Sequence, residues 1–190
     1  MSVIHLRPAV TRFPAANQPD HSANALSPGQ RRVAALQAMA VLDTPPEEGF
    51  DALTRLAAHV FDAPIALVSL IDGPRLWFKS AQGMDSRVTD SKHSFCREVA
   101  DFGQVLQVVS ARQDARFANH ALVKGPLSIQ YYAGAPIIYE EVAIGTVCVL
   151  DYKPRMAPIQ SLYALEEMAH IATVMLRARI EAFALFSSVR

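Results

Sequence analysis

The chain has two cysteines, Cys96 and Cys148, and Cys96 stands in the more suggestive setting. It belongs to the run Ser94-Phe95-Cys96-Arg97. If Ser94 caps a helix, Cys96 sits in the first turn, where free N–H groups and the helix dipole favour a thiolate. Arg97 adds positive charge. Against this stands the plainer role of a small buried hydrophobe, which is the reading preferred here. His93 and Cys96 also form an H-x-x-C pair, with His120 as a further imidazole. Zinc and iron sites take three or four ligands and show a second recognisable pair. None follows, so neither a metal nor a cofactor is expected.

Asp114, Arg116 and Phe117 place an acid, a guanidinium and a ring within four residues. The Arg fork could hold an anion. Alternatively Asp114 caps a short helix and Arg116 pairs locally, and the local pairing is preferred. Trp77 and Lys79 alternate with Leu76 and Phe78, so one pair could face a pocket, but core packing with a solvated Lys79 is the preferred reading. Tyr131 and Tyr132 point to opposite faces, and one hydroxyl is expected to orient a ligand.

The elements that position these residues can be read in order. Residues 1–26 contain Pro8, Pro14 and Pro19 and no periodicity, and read as a disordered or loosely packed arm. Ser27-Pro28 opens a helix that buries Val33, Leu36 and Ala40 and ends near Leu42. Thr44 and Glu47 have capping-box spacing for a second helix, with Phe50, Leu53, Ala57 and Val60 on its apolar stripe. Asp62 and Pro64 end it. Ile65 to Ile71 is a buried strand, and Arg75 to Ala81 is its hairpin partner. Gln82 to Lys92 is polar and irregular. Ser94 to Phe102 is a short helix, with Gly103 just past its end. Val105 to Val109 is a short strand, and Asp114 to Gly125 a brief helix followed by a loop.

Tyr131 to Asp151 then reads as two strands joined at Glu140-Glu141. Counted from that turn, Tyr131, Ala133, Ala135, Ile137 and Tyr139 share a face with Val142, Ile144, Thr146, Cys148 and Leu150. Neither face is polar, so the hairpin is covered on both sides. Ala157 to about Phe186 is one long helix with two apolar stripes, the first interrupted by Arg179. Two stripes suggest a partner beyond the sheet, most simply a second copy of the helix.

Composition narrows the class. Lys+Arg and Asp+Glu both number 18, so nothing favours nucleic acid or a membrane surface. There is no secretory signal, and the run Ile65 to Ile71 is too short to cross a bilayer. A cytoplasmic protein with reduced thiols is expected.

Several stretches together resemble the GAF domain, a small-molecule sensing module of bacterial signalling proteins. They are VLDTPPEEGFDALTRLAAHVFDAPIALVSLID from Val41 to Asp72, SFC at Ser94 to Cys96, DARFA at Asp114 to Ala118, YYAGAPI at Tyr131 to Ile137, and GTVCVLD at Gly145 to Asp151 with Pro154-Arg155. The resemblance covers about Ser27 to Phe186 and makes 27–190 a single domain. It implies an α+β fold with a central antiparallel sheet of five or six strands. The terminal helices would lie on one face and often pair in a dimer. A pocket would occupy the other face, roofed by about Gln82 to Gln130. The subgroup usually has Asp at Ser110, Pro at Ala115, and a Gly-containing turn where Glu140-Glu141 stands.

Carried onto this chain, the resemblance implies Trp77, Ser94, Phe95, Cys96, Asp114, Arg116, Phe117 and Tyr132 as ligand-binding residues. It puts Leu165, Ala172, Leu176 and Phe183 at a dimer interface. The expected function is non-enzymatic sensing of an unidentified small molecule by a homodimer. No kinase, cyclase or DNA-binding segment follows the long helix, so output is expected to reach a separate partner such as a histidine kinase or cyclase. One alternative is a redox enzyme resembling GAF-type methionine sulfoxide reductases and using Cys96. Those enzymes need further pocket cysteines, and Cys148 lies in a strand far along the chain. Another is a ligand-free dimerisation scaffold. GAF photoreceptors commonly carry Cys-His or Asp-Ile-Pro. Here Arg97 follows Cys96 and Asp-Ile-Pro is absent, so no covalent bilin is expected.

Overall fold

The computed structural model describes residues 4–5, 26–92 and 94–188, with side chains described for 26–92 and 94–181. Helix α1 spans Pro28–Ala38. Ser27 starts it by accepting from the Gln30 N–H at 3.3 Å, while Gln30 Oε1 accepts from the Ser27 N–H at 2.8 Å. This reciprocal box satisfies two donors that the helix itself cannot. The helix stops short of Leu42 because the chain turns at Ala40 and Asp43, both at positive φ.

Helix α2 spans Glu48–Phe61 and buries Phe50, Leu53, Ala57 and Phe61. The expected capping box at Thr44 does not form. Thr44 donates to the Val41 carbonyl and accepts from Lys79 Nζ. Glu47 takes the cap position without a side-chain cap bond, and its carboxylate meets Lys79 and Arg179 instead. Lys79 is fully buried, so its charge must be paired, and that demand outranks a local cap.

Among the described residues the sheet has order β1-β5-β6-β7-β2-β3-β4 and is antiparallel throughout. Strands β2 (Ile65–Asp72) and β3 (Arg75–Gln82) form one hairpin, and β6 (Tyr131–Tyr139) and β7 (Val142–Asp151) the other. Strand β5 is Leu106–Val108. The two-residue edge strand β1, Ile4–His5, pairs with β5 and lies inside the stretch expected to lack structure. The segment expected to be irregular after Gln82 contains β4, Val88–Asp90, which pairs with β3.

Helix α3 covers Phe95–Phe102, between the cap at Ser94 and Gly103 at φ 63. The brief helix expected from Asp114 lies later, as α4 at Ala121–Lys124. At Asp114 the carboxylate accepts from the Arg116 N–H at 3.0 Å, a local turn that competes with a helix.

The long helix α5 is Ile159–Ser188. It packs with α2 and part of α1 on one face of the sheet, in a core that includes Leu36, Phe50, Trp77 and Leu165. Helices α3 and α4 and their loops cover the other face around Phe78, Phe95 and Tyr132. That is why the β6–β7 hairpin is apolar on both sides.

Three residues assigned from sequence to a dimer interface belong to the protomer's own core. Leu165, Ala172 and Leu176 are each 0% exposed against the sheet. Phe183 lies outside the residues whose side chains are described. The apolar residues that α5 exposes are instead Tyr163, Ile171 and Val174. Arg179, which breaks the stripe, fastens α5 to the end of α1. It donates to the Met39 and Ala40 carbonyls at 3.2 and 3.1 Å and pairs with Glu47.

The turn at Glu140-Glu141 is two residues long, with φ of 45° and 64°. Positive φ at both centres is the hairpin geometry that normally selects Asn or Gly. Beyond it the register shifts. Ile138 faces Ala143, but Ile137 faces Gly145, which leaves Ile144 unpaired as a bulge. One extra residue moves every later side chain of β7 to the opposite face. Val147 and Val149 therefore join Ala133 and Ala135 beneath the helices. Cys148 and Leu150 join Tyr132 on the other side. The sequence-based pairing of Cys148 and Leu150 with Tyr131 is corrected by this bulge.

Candidate functional site

On the α3 side of the sheet lies a partly enclosed cavity of about 130 Å³. Leu67, Leu76, Phe78, Tyr132 and Leu150 form its floor. Its roof comes from Met84 and Val88, from Ser94, Phe95 and Cys96 at the start of α3, and from His120, Leu122 and Leu127. Among the described residues that line it, Asp90 supplies the only formal charge and there is no Lys or Arg. A wider depression of about 850 Å³ beside α1 opens to solvent and is lined in part by Arg32, Lys92, Arg97 and Asp101.

Four residues expected at a ligand are brought together here: Ser94, Phe95, Cys96 and Tyr132. Ser94 Oγ accepts from the Arg97 N–H at 3.1 Å, which fixes Cys96 in the first turn of α3. Phe95 stacks on Tyr132 at 4.9 Å between centroids and meets Phe117 at 4.3 Å. Phe117 is thus a buried backing for the roof rather than part of the lining. The Tyr132 hydroxyl reaches Cys96 Sγ at 3.6 Å. Gly134 makes that reach possible, because a Cβ there would stand 2.1 Å from the Tyr132 hydroxyl oxygen.

Three expected ligand residues lie elsewhere. Trp77 is buried on the opposite face, beneath the helices, because β3 turns Leu76 and Phe78 toward the cavity. Arg116 pairs with Asp114 at 2.8 Å and Glu98 at 3.0 Å, and its guanidinium covers the Phe117 ring at 4.9 Å. This arrangement ties the loop to α3 outside the cavity, as the local reading of Asp114 and Arg116 had it. The hydrogen bond from Arg116 is the main reason that the Asp114 carboxyl sits below its ordinary value.

Residues missed from sequence are mostly the apolar floor. The alternation of Ile65, Leu67, Ser69 and Ile71 could have placed Leu67 there. The more consequential omission is Cys148. Its Sγ lies 3.8 Å from Cys96 Sγ, although 52 positions separate them. Beside the pair, Ser69 and Thr146 stand opposite each other on β2 and β7, with their hydroxyls 2.7 Å apart.

These surroundings divide the two thiols. The hydrogen bond with Cys148 is the largest influence on Cys96 and lowers it. Burial opposes that shift, and the Ser69, Thr146 and Tyr132 hydroxyls reinforce it, so Cys96 is held below the ordinary thiol value. Cys148 is pushed up, chiefly by burial and then by the neighbouring sulfur. Burial likewise pushes the Tyr132 hydroxyl well up, so it stays a donor.

His93 lies outside the described residues. His120 accepts from the Leu122 N–H through Nδ1 at 3.1 Å. Among the described residues no group of three or more metal-capable side chains occurs.

One side chain connects this site to the other face. Arg32, 3% exposed on α1, donates to the Ala143 carbonyl at 2.7 Å and to Asp101 on α3 at 3.2 Å. It therefore touches the first helix, the bulged strand and the cavity roof together.

The sequence matches the family described as GAF domain over residues 45–176. A curated relative, a cyclic di-GMP phosphodiesterase of Pseudomonas aeruginosa, is 35% identical over 125 residues. That match takes in 65% of this chain but 21% of the relative, so the chain spans about a fifth of that protein's length. Among solved structures, the GAF domain of an Acinetobacter phosphoenolpyruvate-protein phosphotransferase superimposes with a TM-score of 0.59 at 12% identity, over 78% of this chain and 93% of that one. The free methionine-R-sulfoxide reductase of Neisseria meningitidis, solved with its substrate, gives 0.60 at 14% identity, over 85% and 97%. At such identities the two structures establish a shared fold. No helix among the described residues is long and apolar enough to cross a membrane.

Proposed function

The chain belongs to the GAF domain family, and from that premise we propose that it is a signalling module that binds a small molecule between α3 and the sheet. The observation that carries this reading is the lined cavity itself, with a stacked Tyr132–Phe95 wall and Cys96 at its edge. Its size and chemistry restrict the ligand. Drug-sized sites run to about 300–1,000 Å³, and this one is well below that range. Without Lys or Arg among the described lining residues, a phosphate or carboxylate would enter without a counter-charge. The ligand is therefore small and not anionic, with one or two polar atoms. A cyclic nucleotide or tetrapyrrole is larger than this cavity of about 130 Å³.

Binding acts on the molecule through Arg32. A ligand that shifts α3 moves Asp101, and the Arg32 bonds carry that shift to α1 and to the bulge at Ile144. Such coupling requires that the ligand bind two arrangements with different affinity. The exposed apolar residues of α5 are the surface where a second copy docks, and output passes to a kinase, cyclase or phosphodiesterase module. A cytoplasmic location belongs to the same reading.

A thermal-shift screen tests it. Neutral compounds of about ten heavy atoms or fewer should raise the melting temperature, since a native-state ligand stabilises. Cyclic nucleotides and tetrapyrroles should not. A shift produced only by the larger, anionic set would overturn the assignment.

A further inference from the structure

We propose that Cys96 and Cys148 form a peroxide-oxidisable dithiol, which closes as a reversible disulfide between α3 and β7 at the edge of the cavity. Three observations converge on this pair. The sulfurs are 3.8 Å apart, and a disulfide needs about 2.0 Å. The remaining approach of roughly 2 Å must come from side-chain rotation and a shift of α3. Cys96 lines the cavity, so a molecule as small as hydrogen peroxide can reach it although the residue is 4% exposed. The third observation is a set of hydroxyls in an otherwise apolar floor. Ser69, Thr146 and Tyr132 gather where the thiols meet, and Tyr132 donates toward Cys96 Sγ. Packing alone does not require polar groups there. Hydroxyl donors are what a buried sulfur needs in order to carry negative charge.

The chemistry balances with hydrogen peroxide as oxidant. Cys96 Sγ attacks one peroxide oxygen and the O–O bond breaks. A sulfenic acid forms on Cys96, and the thiol proton leaves with the second oxygen as water. Cys148 Sγ then attacks Cys96 Sγ. The S–S bond forms, the S–O bond breaks, and the Cys148 proton leaves with the hydroxyl as a second water. Two electrons pass from the sulfurs to the peroxide. Cys148 is placed for the second role because its Sγ lies 3.8 Å from Cys96 Sγ, and its thiol gives up its proton as it attacks.

Oxidation would draw the first turn of α3 toward β7. Through Asp101 and Arg32 that movement reaches α1. The proposal stands or falls without reference to what fills the cavity.

The test is intact-mass analysis of the full chain after treatment with hydrogen peroxide, joined to a count of free thiols in denaturant. The expected result is a loss of about 2 Da and of both thiols, restored by dithiothreitol. Cys148→Ala should remove the 2 Da loss and accumulate a sulfenic acid that dimedone traps. Wild-type protein that keeps both thiols, or gains whole oxygens without losing 2 Da, overturns the proposal. That wild-type readout does not depend on how well the variant folds.

Discussion

Gly134 illustrates how much of this site rests on single residues. Its missing side chain is the space in which the Tyr132 hydroxyl lies. Gly134→Ala should force Tyr132 off Phe95 and away from Cys96, at a cost of about 1–3 kcal/mol typical of overpacking. Urea unfolding measures that loss, and an unchanged midpoint would contradict the placement of the ring. Acid dependence is also set by individual residues. Burial pushes the Glu47 carboxyl up, but its bonds and charges with Lys79 and Arg179 outweigh this and hold it below its ordinary value. Asp114 is held down by Arg116. A carboxyl with a depressed folded pKa contributes stability above its unfolded value, and loses it as pH falls through the folded one. Stability should therefore be level above the usual carboxylate range and decline below about pH 4. In Glu47→Gln part of that decline should vanish. A wild-type protein equally stable at pH 3 and pH 6 would contradict the pairing.

At the scale of elements, the β6–β7 hairpin holds both the clearest and the least legible information. Its existence and its burial on both sides could be read from residue types alone, but not its two-residue turn, because Glu-Glu lacks the Asn or Gly that such a turn normally selects. Its faces could not be read either. The bulge at Ile144 is one residue long, and it is set by how β7 pairs with β6 and β2. No local propensity announces it, yet it decides whether Cys148 meets Tyr131 or Cys96. The Thr44 box failed for a related reason, since a buried Lys79 contributed by β3 claims both of its members. The turn itself invites a test. Left-handed conformations cost non-glycine residues roughly 1–2 kcal/mol each. Replacing Glu140-Glu141 by Asn-Gly should stabilise the protein by about 1 kcal/mol, raising Tm by about 2–4 °C. A fall in Tm would mean that the glutamates make contacts worth more than the strain.

For the whole molecule, fold class, the two-layered core and the element order apart from the edge strands β1 and β4 follow from apolar periodicity and the motif set. Of the residues singled out from sequence, Ser94, Phe95, Cys96 and Tyr132 line the cavity, where a helix start and a strand meet. The expected ligand set failed at Trp77, because alternation shows that Trp77 and Phe78 point opposite ways without saying which way is the cavity. The dimer surface failed similarly. A heptad-like stripe of Leu165, Ala172 and Leu176 has the same spacing whether it covers a sheet or a second helix. With those residues buried, the proposed dimer is placed on the outer side of α5, where Ile171 and Val174 are exposed. Ile171→Glu combined with Val174→Glu should convert a wild-type dimer to monomers in sedimentation. A dimer that survives both charges would place the interface elsewhere.

The central claim is that the cavity between α3 and the sheet is where a ligand binds. Leu67→Phe adds ring volume to its floor without touching Cys96 or Arg32. The decisive measurement is a calorimetric titration of wild-type and Leu67→Phe protein with any compound that raises the wild-type melting temperature. Saturable binding by the wild type, lost in a folded Leu67→Phe variant, is the predicted result. Equal affinity in both proteins would put the ligand elsewhere and contradict the account.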